Sequence, residues 1–377
     1  MKLNNFYIYA ENFYNFDIER LDLKYLSKYF NVKVFYFNKK LKIRKKSKIK
    51  FFYCKNRKKF TYYLKKKSSK QSFILFANYN NINFLYSLIK QCQKIKIKII
   101  EISKTNLTPG HKLDFLLDFR FLIIKKIIFF YKLFFNFLLN KKLVSDYINC
   151  IDYSLFSGAF SEKIILNQKA KKIATFSRDY QIFKNLNKKS NINVKYSNYA
   201  AFIDDGVGSH IDEKILKINI DKKKLSLYYK ELEFFLSKLN KITTVTICPH
   251  PKCYVEKKRF KQNYVSKKKT IDVIKDSNFV IGTTSTALGL AVLLNKPILL
   301  ITSKNYPIPY HKIEIKKWNK TLGARLIDIS KEYEISNFNN LKINRALYKK
   351  YIFEFHCNYK VLHKNIWDPF LKEIKIK

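Results

Sequence analysis

Short apolar segments alternate with longer amphipathic segments along most of the chain. The longer segments have apolar residues at helical spacing, which predicts helices over 18–29, 83–92, 222–241 and 271–276. The short apolar segments predict buried strands at 6–10, 32–37, 72–77, 95–102, 199–203, 243–248, 279–281 and 298–301. Strands that alternate with helices favour parallel sheets covered on both faces, so we predict an α/β protein with doubly wound sheets.

Residues 278–303 give the clearest single pattern, which reads strand, turn, helix, turn, strand. An apolar run ends at Gly282, and Thr284, Ser285 and Thr286 precede a run of small and branched residues over 287–294. Hydroxyl side chains at this place predict a helix N-cap, and a helix N-terminus with free N–H groups suits a phosphate. The alternative is an ordinary structural β-α-β corner.

The length of 377 residues predicts two domains, each large enough for its own core. We place the first domain at 1–190 and the second at 191–345, with the linker near the polar stretch 184–193. The aromatic segment 346–377 is predicted to be a helical tail that packs back on the first domain.

The formal net charge of +48 normally indicates a nucleic acid or an acidic membrane as partner. However, only eight of the 76 basic residues are arginine, the side chain that reads phosphates and bases best. Lysine, asparagine, isoleucine, phenylalanine and tyrosine are all frequent, as in proteins of AT-rich genomes. We therefore expect mild attraction to a membrane surface and no dedicated nucleic-acid partner.

Six cysteines without a pairing pattern favour a reducing cytoplasm. The first residues lack the apolar core of a signal peptide, and no apolar run reaches the length of about 18 residues that a spanning helix needs. We expect a cytoplasmic protein that can lie on the inner face of the plasma membrane. Residues 121–139 are strongly apolar with three lysines, which fits either an interfacial helix or a core helix with outward lysines.

Two more loops with reactive side chains follow predicted strands of the second half. The first contains Asp204-Asp205-Gly206, where one carboxylate can raise the pKa of the other and so create a base. A plain Asp-Asp-Gly turn is the alternative. Because carboxyl ends of parallel strands share one edge of a sheet, we expect this loop to lie near Ser285.

The other loop holds His250 between two prolines, with Lys252 beside it. An imidazole fixed in this way can donate to a phosphate or protonate a leaving group, although a structural histidine is also possible. Cys248, His250 and Cys253 do not have the spacing of a standard zinc site, so we predict no metal.

The Asp-Asp-Gly, His-Pro and Ser-Thr motifs within 199–303 together resemble those of bacterial sialyltransferase-type GT-B glycosyltransferases. They are also similar to surface-polysaccharide proteins of capsule and lipopolysaccharide gene clusters. The resemblance implies two Rossmann-like domains that face a cleft, an acceptor domain and a nucleotide-sugar donor domain.

By the same resemblance, His250 with Pro251 and Lys252 would contact the donor phosphate, and Ser285 and Thr286 would hold it. Asp204 would be the base. In the sialyltransferases, however, the acidic motif lies in the first domain, whereas here it precedes the His-Pro motif by only 46 positions. The alternative is that Asp204 orients the donor while a first-half carboxylate such as Glu101 is the base.

The predicted activity is metal-independent transfer of a sugar without a cofactor. The favoured donor is a CMP-activated nonulosonate, such as sialic acid or Kdo, and the acceptor is a surface glycan or a lipid-linked glycan. The alternatives are a CDP-polyol phosphotransferase of capsule or teichoic-type polymers and a non-catalytic basic binder of RNA or anionic lipid.

Overall fold

The computed structural model contains two compact units. One combines the described residues of 1–105, 115–182 and 353–377, and the other those of 183–352. The structure describes residues 4–11, 13–37, 48–67, 72–78, 82–102, 149–163, 169–187, 199–210, 213, 218–250, 260, 264–308, 311–335, 338–358 and 363–376. The apolar segment 121–139, Pro251 and Lys252 all lie outside these residues.

The first unit is built on a seven-stranded parallel sheet in the order β3-β2-β1-β4-β5-β6-β7. The strands are β1 (Asn5–Ala10), β2 (Asn31–Tyr36), β3 (Lys50–Tyr53), β4 (Phe73–Asn78), β5 (Lys98–Ile102), β6 (Tyr153–Ser157) and β7 (Lys171–Thr175). The helices that follow them are α1 (Asn15–Arg20), α2 (Leu23–Leu26), α3 (Arg57–Lys67), α4 (Ile82–Lys94), α5 (Gly158–Lys163) and α6 (Arg178–Asn187). Residues Phe6 to Ala10 of β1 are fully buried because helices cover both faces of a doubly wound sheet, which explains their continuous apolar sequence.

The second unit is built on a six-stranded parallel sheet in the order β10-β9-β8-β11-β12-β13. Its strands are β8 (Tyr199–Ile203), β9 (Thr244–Cys248), β10 (Tyr264–Val265), β11 (Phe279–Gly282), β12 (Ile298–Thr302) and β13 (Arg325–Asp328). Its helices are α7 (Lys222–Leu239), α8 (Thr270–Asp276), α9 (Leu288–Leu293), α10 (His311–Leu322) and α11 (Arg345–Tyr351). The predicted α/β class with doubly wound parallel sheets is confirmed.

The strand order of the second sheet reverses at β8. From β8 the chain moves outward through β9 to β10, and it then returns to the other side of β8 to place β11, β12 and β13. The topological switch point therefore lies between the carboxyl ends of β8 and β11, the place where open α/β sheets bind their ligands.

The C-terminal segment packs into the core of the first unit. After a π-helical turn, Ile352–His356, it ends in helix α12 (Asp368–Glu373). The Trp367 ring packs edge-on against Phe6 at 5.4 Å, and its indole N–H donates to the Leu21 carbonyl at 2.5 Å. Such aromatic packing gives this segment its place beside β1.

One local prediction was wrong. The single helix predicted over 18–29 is divided at Asp22, which has φ 38° and caps α2 through a hydrogen bond from the Tyr25 N–H. Over the described residues, no helix combines the length and apolar character needed to cross a bilayer.

Gly158 joins β6 to α5 with φ 71°, and a Cβ added there would lie 2.3 Å from the Glu354 carbonyl oxygen. Gly158→Ala should therefore destabilise the first unit by about 2–4 kcal/mol, since it combines backbone strain with a clash against main chain. Chemical denaturation measures the loss. Ala159→Gly, one residue along, is the control and should cost at most about 1 kcal/mol; an equal loss in both variants would contradict the steric argument.

Candidate functional site

Three loops meet at the carboxyl edge of the second sheet, because the strands before them, β9, β8 and β11, are neighbours. The loop after β8 contains Asp204 and Asp205, the loop after β9 contains His250, and the loop after β11 contains Thr284 and Ser285. The Asp204 N–H donates to the Cys248 carbonyl at 3.0 Å, so the first two loops also remain joined just beyond the paired strands.

Asp204 is only 3% exposed, and its Oδ1 accepts a hydrogen bond from the Gly206 N–H at 2.9 Å. The turn also uses glycine at left-handed φ values, 64° at Gly206 and 81° at Gly208. From the helix layer, the Tyr229 hydroxyl donates to the Val207 carbonyl at 2.9 Å. The first carboxylate of the pair thus holds the turn in place.

Asp205 lies across the switch point, where its Oδ2 accepts a hydrogen bond from the Thr284 N–H at 3.2 Å. Burial raises the pKa of Asp205 to about 7, and the nearby charges of Asp204 and Glu314 act in the same direction. The Thr284 N–H and the Ser285 hydroxyl oppose that rise because they donate to the ionised form. A carboxyl group that exchanges its proton near neutral pH suits general acid–base work.

His210 and His250 form a close pair at the same edge. Their Nε2 atoms are 3.3 Å apart, and their ring centroids are 4.3 Å apart at an interplanar angle of 66°. Such a contact requires one neutral ring to accept from the N–H of the other. An anion between the rings could instead receive an N–H from each of them.

Sequence reasoning selected His250 and overlooked His210. The available signal was the position of His210, which closes the loop that begins with Asp204 and contains two of the chain's seven glycines. Positive φ values at both glycines curl that loop, and this brings His210 to the end of the neighbouring strand.

The Thr284-Ser285-Thr286 turn differs from its predicted form. Helix α9 begins at Leu288 and its N-cap is Ala287, so Ser285 and Thr286 are not N-cap residues. The reason is a tighter lead-in, in which the Leu288 N–H bonds to the Ser285 carbonyl at 3.1 Å and the next two N–H groups repeat the pattern. Ser285 is half-buried and Thr286 is exposed, and the Ser285 hydroxyl accepts a hydrogen bond from the Ala287 N–H at 3.4 Å.

Gly282 ends β11 directly before this turn. A Cβ at this position would lie 2.9 Å from a terminal methyl group of Leu288, so a larger residue would displace that side chain. Gly282 therefore leaves room for the Leu288 side chain, which packs beside the hydroxyl turn.

An aromatic wall lines the buried side of Asp205. Tyr306, in the loop after β12, packs edge-on against Tyr228 at 4.9 Å, and the His311 ring stacks on Tyr306 at 3.5 Å. Burial lowers the pKa of His311 to about 3, so this ring is neutral at physiological pH. These three residues and Glu314 were not selected from the sequence, because their proximity to Asp205 depends on how helices and strands far apart along the chain pack together.

Among the described residues, no three histidine, cysteine or acidic side chains are grouped as ligands for a metal ion. Of the three residues considered for a zinc site, Cys248 is buried at the end of β9 and Cys253 lies outside the described part.

Two Rossmann-like units with fully parallel sheets define the GT-B fold, and comparison with solved structures supports this assignment. Similar structures include S. aureus MnaA with UDP (TM-score 0.54, 10% identity, 100% of this chain and 98% of that chain covered). The forosaminyltransferase SpnP matches with TM-score 0.53 at 8% identity, covering 99% and 100% of the two chains.

The wall teichoic acid polymerase TagF, solved with CDPG, matches with TM-score 0.52 at 12% identity, covering 99% of this chain and 89% of that chain. At these identities the likeness establishes the fold alone. No family model matches the chain, and no curated protein matches it either.

Proposed function

We propose that the protein is a glycosyltransferase that takes a sugar from a nucleotide donor bound at the second unit. The observation that carries this proposal is the hydrogen bond between Asp205 and Thr284 across the switch point, with the His210–His250 pair at the adjoining strand end. A titratable carboxyl, two imidazoles and hydroxyl side chains at one sheet edge are groups that can carry out such a transfer.

In the proposed reaction, an acceptor hydroxyl attacks the anomeric carbon of the donor while the bond from that carbon to the phosphate oxygen breaks. His210 and His250 donate N–H groups to the leaving phosphate, and Ser285 and Thr286 donate hydroxyls to it. Asp205 takes the proton of the acceptor hydroxyl. Asp204, which the resemblance proposes as the base, would instead hold the turn and help to keep the pKa of Asp205 raised. Glu101 of the first unit is the alternative base.

The Asp-Asp-Gly and His-Pro motifs favour a CMP-activated nonulosonate as donor and a surface glycan or lipid-linked glycan as acceptor. A second candidate is transfer of a polyol phosphate from a CDP donor. The likeness to TagF, a polymerase solved with CDPG, covers nearly the whole chain and favours that candidate. The proposal includes a cytoplasmic location with contact to the inner face of the plasma membrane.

A thermal-shift screen against CMP, CDP, UDP and GDP tests the donor class. A nucleotide at about 100 times its dissociation constant stabilises the native state by about 2.7 kcal/mol, which raises the melting temperature by several degrees. We expect CMP or CDP to give the largest rise and Ser285→Ala to reduce it. A full-length protein that melts cooperatively but responds to no nucleotide would overturn the proposal.

The dependence of binding on salt distinguishes the non-catalytic alternative from the proposed enzyme. A basic binder of RNA or lipid loses affinity steeply as salt rises and does not depend on His250. The proposed enzyme instead loses sugar transfer when His250 is replaced.

A further inference from the structure

The inner face of helix α7 packs against the second sheet and supports the loop that contains Asp204 and Asp205. Tyr228, Leu232, Phe235, Leu236 and Leu239 are buried against the second sheet. Near its start, Leu225 packs under Gly208 and the Tyr229 hydroxyl holds the Val207 carbonyl. The inner face therefore explains why this helix is apolar at helical spacing, but it leaves the outer face to be explained.

The outer face of α7 exposes large apolar side chains. Among the described residues, six large hydrophobic side chains are exposed, and three of them, Leu227, Phe234 and Ile242, belong to α7 or to the turn that follows it. Leu227 is 39% exposed and Phe234 is 56% exposed. Seven residues separate them, which places them on the same side of the helix about 10 Å apart.

Lysines alternate with these apolar residues on the same face. Lys223 and Lys230 are exposed, and they lie four residues before Leu227 and three residues after it. The ammonium of Lys238 lies 4.4 Å from the centre of the Phe234 ring. We call this set of Lys223, Leu227, Lys230, Phe234 and Lys238 the outer face of α7.

Acidic residues do not balance the charge of this face. Asp221 is the N-cap of α7 and accepts the N–H groups of Lys223 and Lys224. Glu231 is turned toward the loop after β12, where it accepts hydrogen bonds from Ser303 and Asn305. Glu233, the remaining carboxylate of α7, is half-buried, so one carboxylate stands beside the exposed lysines of this helix.

Alternation of lysine with leucine and phenylalanine on the solvent side of a helix fits the surface of an anionic bilayer. The apolar side chains can enter the acyl boundary while the lysines contact anionic headgroups. A protein partner would be expected to offer acidic groups together with a matching apolar pocket, whereas a bilayer offers both over any area.

We propose that the outer face of α7 docks the protein on an anionic lipid bilayer. Because α7 begins at the carboxyl edge of the second sheet, docking would hold the loop of Asp204 to Gly208 close to the bilayer, where lipid-linked acceptors lie. This placement rests on the proposed function, but the docking itself does not depend on the donor chemistry.

Co-sedimentation of the full chain with vesicles tests the docking, using phosphatidylcholine alone and phosphatidylcholine with phosphatidylglycerol. The wild-type chain should bind the anionic vesicles and bind neutral vesicles weakly. Removal of two charges by Lys223→Gln with Lys230→Gln should weaken binding by about 25-fold, about fivefold for each lysine. Leu227→Ser with Phe234→Ser should weaken it by about tenfold or more.

Matched controls come from α10 of the same unit, where Ile313 is 40% exposed and Lys312 and Lys316 are exposed. Ile313→Ser and the pair Lys312→Gln with Lys316→Gln should leave vesicle binding unchanged. If vesicle binding falls equally in these controls, the proposal is wrong, and lysines spread over the whole surface account for the binding. Unchanged binding in both α7 variants would overturn it too, and so would a greater loss of RNA binding than of vesicle binding.

The nucleotide thermal shift separates this proposal from the proposed function. The α7 variants should keep the wild-type response to nucleotide, since their changed side chains face away from the sheet edge. Loss of vesicle binding with an intact nucleotide response supports docking. If the protein responds to nucleotide but does not bind vesicles, the docking proposal is wrong and the proposed function is unaffected.

Discussion

Replacement of His250 by alanine is expected to reduce sugar transfer by about 10²- to 10⁴-fold while the protein remains folded. His210→Ala should have an effect of similar size, because the two Nε2 atoms are 3.3 Å apart and would meet the same leaving phosphate. Both rings are half-buried at the sheet edge, so each change should cost at most about 1 kcal/mol of stability.

The double variant gives the sharper result. If the two imidazoles act as one unit, the loss in the double variant should be close to that of either single variant rather than their product. Turnover with a CMP-sugar donor, detected as released nucleotide, measures the loss, and the melting temperature reports folding. His363→Ala, in the first unit, is the matched control. Undiminished turnover in His250→Ala would remove the histidine pair from the reaction.

Asp205→Asn is expected to abolish most activity and yet to stabilise the protein above neutral pH. The pKa of Asp205 rises from 3.8 to about 7 in the folded protein, so the folded state holds this proton more tightly than the unfolded state. The free energy of unfolding of the wild-type protein therefore falls as pH rises from about 4 to about 7. At pH 8 the ionised carboxylate destabilises the folded wild-type protein, and the substitution by asparagine removes this destabilisation.

The gain at pH 8 should be about 1–2 kcal/mol, a value reduced for the partial exposure of Asp205. As pH falls through 4 the stabilities of the variant and the wild-type protein should converge, because the wild-type carboxyl becomes protonated in the unfolded state as well as in the folded state. Asparagine keeps an oxygen that can accept the Thr284 N–H, so the contact across the switch point is retained. Denaturation at pH 4, 6 and 8 measures the difference.

Asp204→Asn gives the matched comparison. Its amide oxygen can still accept the Gly206 N–H, but the change removes one of the charges that raise the pKa of Asp205. If Asp205 is the base, the rate of wild-type transfer rises with pH through about 7, and in Asp204→Asn this rise moves to lower pH. If the dependence of the transfer rate on pH is the same in the wild-type protein, Asp204→Asn and Asp205→Asn, Asp205 is excluded as the base. A first-unit carboxylate such as Glu101 is then favoured.

The strands that carry the site were predictable because each is buried on both faces and must be apolar throughout. The segments 199–203, 243–248 and 279–281 correspond closely to β8, β9 and β11. For the same reason, the reactive loops could be placed after strand ends. The start of α9 was misjudged because Ser285 has good N-cap chemistry, whereas the i→i+3 bonds that begin at its carbonyl moved the cap to Ala287.

Local periodicity, burial and turn chemistry thus determined where strands end and which side chains follow them. Only the tertiary structure decided which strands are neighbours, because pairing depends on packing between residues far apart along the chain. The order β9-β8-β11 brings Asp205 to Thr284, 79 residues away, and His210 to His250, 40 residues away. The raised pKa of Asp205 likewise arises from burial and from charges on separate elements, which no local pattern encodes.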